Sequence, residues 1–295
     1  MRSLLPFRVR YRDLVQDRPG LVRRIRFTYL ANGGRLRQGF VVLPRWYNAH
    51  KHPPLPLVIA PHGRGISPQV NLRFWGALPA FGPFAVVDPA GQGRRLISYS
   101  WGWRGQIDDL SRMPGIVEQA IPGRRIDRRR IYAIGSSMGG QETLLLVARH
   151  PGLLAGAAAL DSATNMAARY KEFGLLRDGR RLRQLARIEV GGTPEQVPRA
   201  YAARSPLTFA REIAQSGVPL NLWWSTRDRI VSDQNAESGA LYRAIKRINP
   251  KAPLTKYVGT WAHSREMRPL TRLPLLLIHF GLIELDEPLP TGVAS

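Results

Sequence analysis

The sequence has 295 residues, 44% of them hydrophobic, which is enough to bury a large core within one sizeable α/β domain. It contains no cysteine, and this excludes disulfides, thiol catalysis and cysteine-bound metals. The formal net charge is +23, and only five of the 44 basic residues are lysines. Because the arginines are spread along the whole chain, they indicate a solvated surface that adheres to polyanions nonspecifically, with no specific nucleic-acid partner.

The chain shows neither a membrane-spanning run nor a secretion signal. No stretch of eighteen apolar residues occurs, and the basic amino terminus lacks a continuous apolar segment. We therefore expect a soluble, cytoplasmic protein with no membrane partner, although a trimmed leader would leave the same sequence. No repeat or long linker divides the chain, so we expect residues 1–295 to form a single domain.

Apolar runs of strand length alternate with segments of helical spacing. The first two, separated by the turn residues "ANGG", predict a hairpin. Several later runs are apolar on both faces, which is typical of a parallel sheet covered by helices on each side. The sequence therefore predicts a doubly wound α/β sheet with its reactive groups at the carboxyl ends of the strands. The predicted strands are Arg23–Leu30, Arg37–Pro44, Leu55–Pro61, Phe84–Pro89, Arg129–Gly135, Leu153–Asp161, Pro219–Thr226 and Leu254–Gly259.

The stretch "IGSSMGGQ" contains a G-x-S-x-G motif between a predicted strand and a predicted helix. In this turn the chain reverses so tightly that only small residues fit two positions before and after the nucleophile. Gly135 and Gly139 meet that need when the nucleophile is Ser137, whereas Ser136 would be flanked by larger residues. The other interpretation is an ordinary glycine-rich turn that binds phosphate at the helix amino terminus.

A serine nucleophile needs a histidine base, and elimination among the six histidines favours His263. It is the only one that lies both downstream of Ser137 and in a loop after a predicted strand. The rest are assigned to a proline-rich loop without a nearby carboxylate, to a position upstream of the serine, to a helix end and to a buried terminal helix. They are His50 and His52, His62, His150 and His279, respectively.

An acid that orients the base should come between the serine and the histidine in the chain. Asp228 follows the penultimate predicted strand, 35 residues before His263, and is our choice. Asp161, at the end of the preceding strand, is its rival, and Asp233 is a third candidate. A surface salt bridge to an arginine is the alternative for each of these carboxylates.

Acyl transfer also needs N–H donors for the developing oxyanion. We expect one from the backbone of Met138, directly after the nucleophile. The second should come from the loop "PHGRG", for which we choose the N–H of Arg64, with Gly63 as the alternative. A flexible glycine loop without this role is the other interpretation.

Four aromatic residues, together with the segment 165–204, are candidates for shaping the substrate pocket. Trp101, Trp103 and Trp261 are candidate substrate-binding residues, with Tyr99 beside them, although core packing would explain them equally well. The segment 165–204 is longer than a plain crossover, so we expect helices that cap the site. Its arginines hint at an anionic substrate, against the alternative of a solvated face.

The motifs "PHGRG", "GSSMGG", "RSPLTFA", "RDRIVSDQNAESGALYRAI" and "WAHS" together resemble those of α/β-hydrolases, close to serine esterases and to the catalytic domains of the prolyl oligopeptidase family. The resemblance covers most of residues 55–265. It implies an eight-stranded, mostly parallel sheet, a triad of Ser137, Asp228 and His263, and an oxyanion hole from the amides of Met138 and Arg64. The oxyanion loop has HGRG where many lipases have HGGG, and no propeller precedes the predicted hydrolase domain.

These residues predict hydrolysis of a small-molecule ester through an acyl-enzyme, without a metal or cofactor. A peptidase or amidase that uses the same triad is one alternative. A noncatalytic protein that binds polyanions through its positive charge is the other.

Overall fold

In the described part of the chain, the amino-terminal hairpin leads into a single sheet of eight strands. The structure is a computed structural model, and it describes residues 10, 19–120, 123, 125–268 and 271–286. The first two strands pair antiparallel, and the second pairs antiparallel with the fourth. The remaining neighbours are parallel, in the order β1-β2-β4-β3-β5-β6-β7-β8. The strands are β1 Val22–Leu30, β2 Leu36–Pro44, β3 Leu55–Ile59, β4 Ala85–Pro89, β5 Ile126–Ser136, β6 Gly156–Leu160, β7 Leu220–Ser225 and β8 Leu254–Gly259.

Helices cover both faces of this sheet. This agrees with the sequence, in which several strands are apolar on both sides. Along β3, Leu57 and Ile59 pack into one core cluster and Val58 packs into the other. Alternate side chains of a strand point to opposite faces, so a strand buried on both sides must be apolar throughout. The helices are α1 Pro68–Arg73, α2 Arg104–Ala120, α3 Met138–Arg149, α4 Met166–Phe173, α5 Gly179–Val190, α6 Pro198–Ala202, α7 Ala210–Gln215, α8 Ser238–Ile248 and α9 Leu273–His279.

The starts of two strands differ from the prediction by three residues, and the other strand boundaries agree within two residues. β5 begins at Ile126, three residues earlier than expected. β6 begins at Gly156, three residues later than expected, because Pro151–Leu153 forms a short 3-10 turn after α3. Leu153 and Leu154 are apolar and resemble strand residues in the sequence, but their N–H groups bond back to this turn. Both differences lie at the amino-terminal ends of the strands, away from the site.

Helices α4 to α6 lie between β6 and β7, in the segment 165–204 expected to form a cap. Asn165 caps the amino terminus of α4, where its side chain accepts a hydrogen bond from the N–H of Ala168. The buried residues of these helices form a third, smaller apolar cluster together with Trp101 and Met138. Met138 directly follows the candidate nucleophile, so this cluster joins the helical segment to the elbow. Two expectations stay predictions: that residues 1–295 form a single domain, and that the segment 165–204 caps the site.

A buried ion pair fastens this helical segment to the loop after β4. Glu189, in α5, pairs with Arg204 at 3.2 Å, and both side chains are buried. The same carboxylate accepts N–H bonds from Arg94, Arg95 and Leu96. Four donors therefore satisfy one buried charge, as burial of a carboxylate requires.

No helix in the described part of the chain is long and apolar enough to cross a membrane.

Candidate active site

Ser137 occupies the turn between β5 and α3, and its backbone lies in the left-handed region. Its φ is +58° and its ψ is −124°, a conformation that costs a non-glycine residue about 1–3 kcal/mol. The residue is partly exposed, whereas Ser136 is buried as the last residue of the strand. The turn therefore presents Ser137 alone.

The two glycines that flank this turn cannot carry a side chain. A Cβ on Gly135 would lie 2.4 Å from the carbonyl oxygen of Gly139. A Cβ on Gly139 would lie 2.0 Å from the carbonyl oxygen of Pro61. Neither glycine has a positive φ, so the need is for space alone. This is the steric requirement that the spacing of the glycines around Ser137 indicates in the sequence.

His263 and Asp228 form a direct pair. Nδ1 of His263 lies 2.6 Å from Oδ2 of Asp228, whose side chain is completely buried. The other carboxylate oxygen accepts N–H bonds from Ile230 at 2.8 Å and Val231 at 3.0 Å. Burial raises the pKa of Asp228, but the hydrogen bond and charge of His263 and the two backbone bonds outweigh it, so the pKa lies below the usual value. Asp228 is thus held ionised against Nδ1 of the His263 ring.

Asp161 also lies close to His263 but is bonded to the residues around it. Its Oδ2 accepts hydrogen bonds from Nε1 of Trp261 at 2.9 Å and from the N–H of Ser264 at 2.8 Å. Its Oδ1 accepts the N–H of Ser225 at 2.9 Å. Burial raises the pKa of this carboxyl, against the lowering effect of its donors. Asp228 therefore contacts the imidazole of His263, whereas Asp161 bonds to Trp261 and Ser264 in the loop that contains His263.

Asp233, the third candidate acid, is exposed. Its carboxylate caps the following turn by accepting the N–H of Ala236 at 3.0 Å.

A path of hydrogen bonds links the nucleophile turn to the histidine loop. The N–H of Ser137 donates to the carbonyl of Leu160 at 2.9 Å. The next residue, Asp161, accepts from Ser264, the residue after His263. The ends of β5, β6 and β8 are therefore tied together at the carboxyl edge of the sheet. In the described chain no hydrogen bond reaches Nε2 of His263, so that atom is available to a nucleophile.

Among the residues that the structure describes, Asp161, Asp228 and His263 form a group that could hold a metal ion. Their potential ligand atoms lie within 4.8 Å of one another. However, Asp161 already accepts three N–H bonds, and Asp228 accepts three besides its contact with His263, from Ile230, Val231 and Nε2 of Gln234. A metal would have to replace these donors, so the hydrogen bonding fits an acid–base pair better than a set of metal ligands.

The loop that contains the predicted oxyanion donors runs beside the elbow. A Cβ on Gly63 would lie 4.0 Å from Cβ of Ser137. Among the residues that the structure describes, no acceptor pairs with the N–H of Arg64, of Gly63 or of Met138. These amides are therefore free to bind an anionic oxygen, and both candidates for the second donor stay open.

His62 holds this loop in place. Its Nδ1 lies 2.8 Å from the carbonyl of Gly63, and its Nε2 accepts the N–H of Gly91 at 2.7 Å. An imidazole that donates through one nitrogen and accepts through the other is neutral. Burial lowers the pKa of His62, in agreement with this arrangement. The ring thus fixes the loop after β3 to the loop after β4.

No family model and no curated protein matches the sequence. Solved structures do match over most of the chain. Prolyl oligopeptidase B from Galerina marginata aligns with 91% of this chain and 38% of its own, at 14% identity and a TM-score of 0.66. An acylaminoacyl peptidase from Pyrococcus horikoshii aligns with 91% and 43%, at 19% identity and a TM-score of 0.62. An S-formylglutathione hydrolase from Staphylococcus aureus aligns with 82% and 92%, at 17% identity and a TM-score of 0.59.

The chain has the α/β-hydrolase fold. It spans about two fifths of the length of the two peptidases and nearly the whole length of the S-formylglutathione hydrolase. The predicted fold class, an eight-stranded and mostly parallel sheet with helices on both faces, is confirmed. In this hydrolase fold, Ser137, Asp228 and His263 follow three strands at the same edge of the sheet.

The three candidate tryptophans lie in different surroundings within the hydrolase fold. Trp101 lines a narrow pocket together with Ser137 and Met138. Trp261 is buried in the core, stacks on Tyr257 with ring centroids 5.3 Å apart, and bonds to Asp161. The ring of Trp103 packs over Gly105, next to α2, and is not among the residues that line the pocket. The structure therefore brings Trp101 to the site and gives the other two packing contacts elsewhere.

Five pocket residues are not predicted by the sequence: Gln141, Ala163, Arg169, Phe173 and Val231. Arg169 and Phe173, both in α4, line the pocket beside Ser137. Met166, Arg169, Tyr170 and Phe173 are the buried residues of this helix, at the i, i+3, i+4, i+7 spacing of one helical face. An arginine within such an apolar face is the signal that could have identified Arg169.

Proposed function

We propose that this protein is a serine hydrolase that cleaves a carboxylic ester, with Ser137 as nucleophile, His263 as general base and Asp228 as the orienting acid. The contact between His263 Nδ1 and Asp228 Oδ2 carries the proposal. It fixes the tautomer in which Nε2 accepts a proton, as a serine nucleophile requires.

In this mechanism Ser137 attacks the ester carbonyl while Nε2 of His263 takes its proton. Asp228 stabilises the imidazolium that forms. The free amides of Met138 and Arg64 (or Gly63) donate hydrogen bonds to the tetrahedral oxyanion. The imidazolium then returns the proton to the departing alcohol, and water attacks the acyl-enzyme by the same route in reverse. Each step uses groups of this chain alone.

The fold neighbours include both peptidases and the S-formylglutathione hydrolase. The last of these is named as a hydrolase of S-formylglutathione, a small thioester, which supports a small acyl substrate. A peptidase or amidase that uses the same triad is the alternative. Matched p-nitrophenyl ester and p-nitroanilide substrates separate the two by their ratio of kcat/KM.

The direct test is Ser137→Ala assayed with p-nitrophenyl acetate and with a fluorophosphonate probe. We expect wild-type protein to turn over the ester and to bind the probe covalently. Both signals should vanish in the variant, because only the nucleophile is lost. Ser136→Ala is the matched control and should keep both. Turnover that survives Ser137→Ala would refute the assignment, and retardation of DNA without probe labelling would favour the noncatalytic alternative.

A further inference from the structure

Arg64 places an unpaired positive charge beside the candidate nucleophile. Its guanidinium stacks over the ring of Phe173 at 5.5 Å, and both residues line the pocket with Ser137. Its Nη1 is buried and has no hydrogen-bond partner in the described part of the chain. The ionisable neighbours that act on Arg64 are Arg169 and the phenol of Tyr99, and neither is a carboxylate. A buried guanidinium donor without an acceptor is costly unless a ligand supplies one.

Arg169 lies over the same ring and is itself paired. Its guanidinium is 4.8 Å from the centroid of Phe173 and forms an ion pair with Glu172. Glu172 also accepts the N–H of Ser232 at 2.6 Å. Glu172 thus neutralises Arg169 and leaves Arg64 without a carboxylate partner. Burial, together with the charge of Arg169, lowers the pKa of Arg64. The pocket holds one more positive charge than these residues neutralise.

The position of this charge relates it to the reacting atoms. The backbone N–H of Arg64 is one of the two candidates for the second oxyanion donor. Arg64 therefore joins a candidate oxyanion donor in its backbone to a charged group at the end of its side chain. Trp101 and Phe173, whose rings contact each other with centroids 5.9 Å apart, line the apolar part of the same pocket. Because Ser137, Arg64 and Arg169 all line this pocket, a substrate bound at the serine would lie beside the guanidinium groups.

We propose that this pocket selects esters that carry a carboxylate a few bonds from the scissile carbonyl, bound by the guanidinium of Arg64 with Arg169 beside it. The inference rests on the proposed function and names its substrate class. A short dicarboxylic half-ester places the anion in the acyl part, and an ester of a hydroxy acid places it in the alcohol part. The chemistry of recognition is the same for both.

Two substrate pairs test the proposal and separate these sources. In the first, the p-nitrophenyl monoester of glutaric acid is compared with the p-nitrophenyl ester of glutaramic acid. In the second, 3-carboxyphenyl acetate is compared with 3-carbamoylphenyl acetate. Within each pair the acid and the amide have nearly the same shape and differ in charge, and the uncatalysed rate of each ester is subtracted because the glutarate carboxylate also attacks its own ester. We expect the acid to exceed the amide in kcat/KM by about tenfold or more in one pair, since a hydrogen bond between charged groups is worth about 1.5–3 kcal/mol. Ratios near one in both pairs would overturn the proposal.

Variants then assign the preference to its residue. Arg64→Met should reduce the acid-to-amide ratio to near one, and Arg64→Lys should keep part of it. The ratio is the readout because the amide of Arg64 is a candidate oxyanion donor, and any effect on that amide acts on both substrates. Arg149→Met is the matched control. Arg149 stacks on Phe209 at 5.2 Å and has a buried Nη1 without a partner among the described residues, but it lies at the far end of α3, about 18 Å along the helix from Ser137.

Arg149→Met should leave the ratio unchanged. A ratio that survives Arg64→Met would overturn the assignment to Arg64. A ratio that falls equally in both variants would show a response to total charge, and would overturn it as well. All assays use one ionic strength, because the net charge of +23 attracts every anion.

A binding measurement keeps this proposal separate from the proposed function. Calorimetry with Ser137→Ala protein compares glutarate with glutaramide, and the same titration is repeated in Ser137→Ala/Arg64→Met. We expect glutarate alone to bind, and binding to weaken about tenfold or more without Arg64. If wild-type protein cleaves no ester, the proposed function fails while this titration still decides the anion site. Equal binding of the acid and the amide, or no binding of either, would overturn the site even in an active esterase.

Discussion

The N–H of Ser264 donates a hydrogen bond of 2.8 Å to Oδ2 of Asp161, and this bond joins the end of β6 to the loop that carries the candidate base. Ser264 itself has a φ of +59°, so the loop is strained where it turns after His263. The same oxygen accepts Nε1 of Trp261. Asp161 thus holds the residues on either side of His263, and Asp228 holds its ring.

Asp161→Asn should lower kcat with little change in KM. An amide cannot accept all three N–H bonds, because its NH2 group opposes one of the donors. The loss of one bond to a buried donor costs about 1–3 kcal/mol; where this cost falls on the transition state through the position of His263, kcat decreases about five- to 150-fold. Steady-state kinetics with p-nitrophenyl acetate measure the effect, and thermal unfolding shows whether the fold persists.

Asp233→Asn is the control for this substitution, since its carboxylate caps an exposed turn away from His263. It should leave kcat unchanged. A normal kcat in Asp161→Asn would show that Asp228 alone positions the base.

Gly139→Ala should destabilise the elbow strongly. The new Cβ would lie 2.0 Å from the carbonyl oxygen of Pro61, which is backbone and cannot rotate away. Overpacking of this kind costs about 1–3 kcal/mol or more, and it moves the oxyanion loop as well. We expect a lower free energy of unfolding in urea and a large loss of esterase activity.

Gly152→Ala is the matched control, because nothing lies within 4 Å of a Cβ there. It should change the free energy of unfolding by less than about 0.5 kcal/mol. Wild-type stability and activity in Gly139→Ala would contradict the packing described for the elbow.

Glu142→Gln should remove a pH dependence of stability between about pH 4.5 and 8. Burial raises the pKa of Glu142 from 4.5 to about 8, opposed by hydrogen bonds from Ser100 and Gln106. In this window the folded chain holds a proton that the unfolded chain has released. Stability is therefore highest below the unfolded pKa and falls as pH rises toward the folded one, by up to about 1.4 kcal/mol per pH unit.

Thermal unfolding of wild-type and Glu142→Gln protein at pH 5, 6, 7 and 8 measures this effect. The Tm difference between the two should move in favour of the glutamine variant as pH rises. Buried acids that do not interact with Glu142 cancel in the difference, whereas Asp88 does not, because the charge of Glu142 raises its pKa further. Parallel Tm profiles would mean that Glu142 does not titrate in this window.

Glu189→Gln should destabilise the protein by about 3 kcal/mol, because it leaves the buried charge of Arg204 with backbone acceptors but without a counter-charge. Glu118→Gln is the matched control. Glu118 pairs with Arg128 at the surface, where the loss of an ion pair costs less than about 1 kcal/mol. Urea unfolding of both variants gives the comparison. Equal small decreases in the free energy of unfolding would show that the ion pair of Glu189 and Arg204 contributes little to stability.

The sheet was predictable from the sequence because an apolar run of strand length marks each buried strand. The elbow was predictable for a similar reason: the spacing of Gly135, Ser137 and Gly139 is a local property. The late start of β6 was not, because Leu153 is apolar whether it lies in a strand or in a turn. In such cases a short helical turn set by Pro151 overrides the pattern.

The rest of the site depends on contacts between residues far apart in the chain. His62 bonds to Gly91, 29 positions away, and Asp161 bonds to Ser264, 103 positions away. No local pattern encodes such pairs. Trp261 illustrates the ambiguity, because an aromatic residue beside a base suits a pocket wall as well as a core. Only the fold places it in the core.

Ser137 and His263 follow strands that differ in their position within the sheet. Ser137 follows β5, which is flanked by β3 and β6 in the middle of the sheet, whereas His263 follows β8, the last strand at one end. An end strand is hydrogen-bonded on one side only and opens at a lower free energy than a central one. On warming, the base should therefore leave its position while the serine turn is still intact. Heat inactivation would then precede loss of the sheet, and brief cooling would restore it.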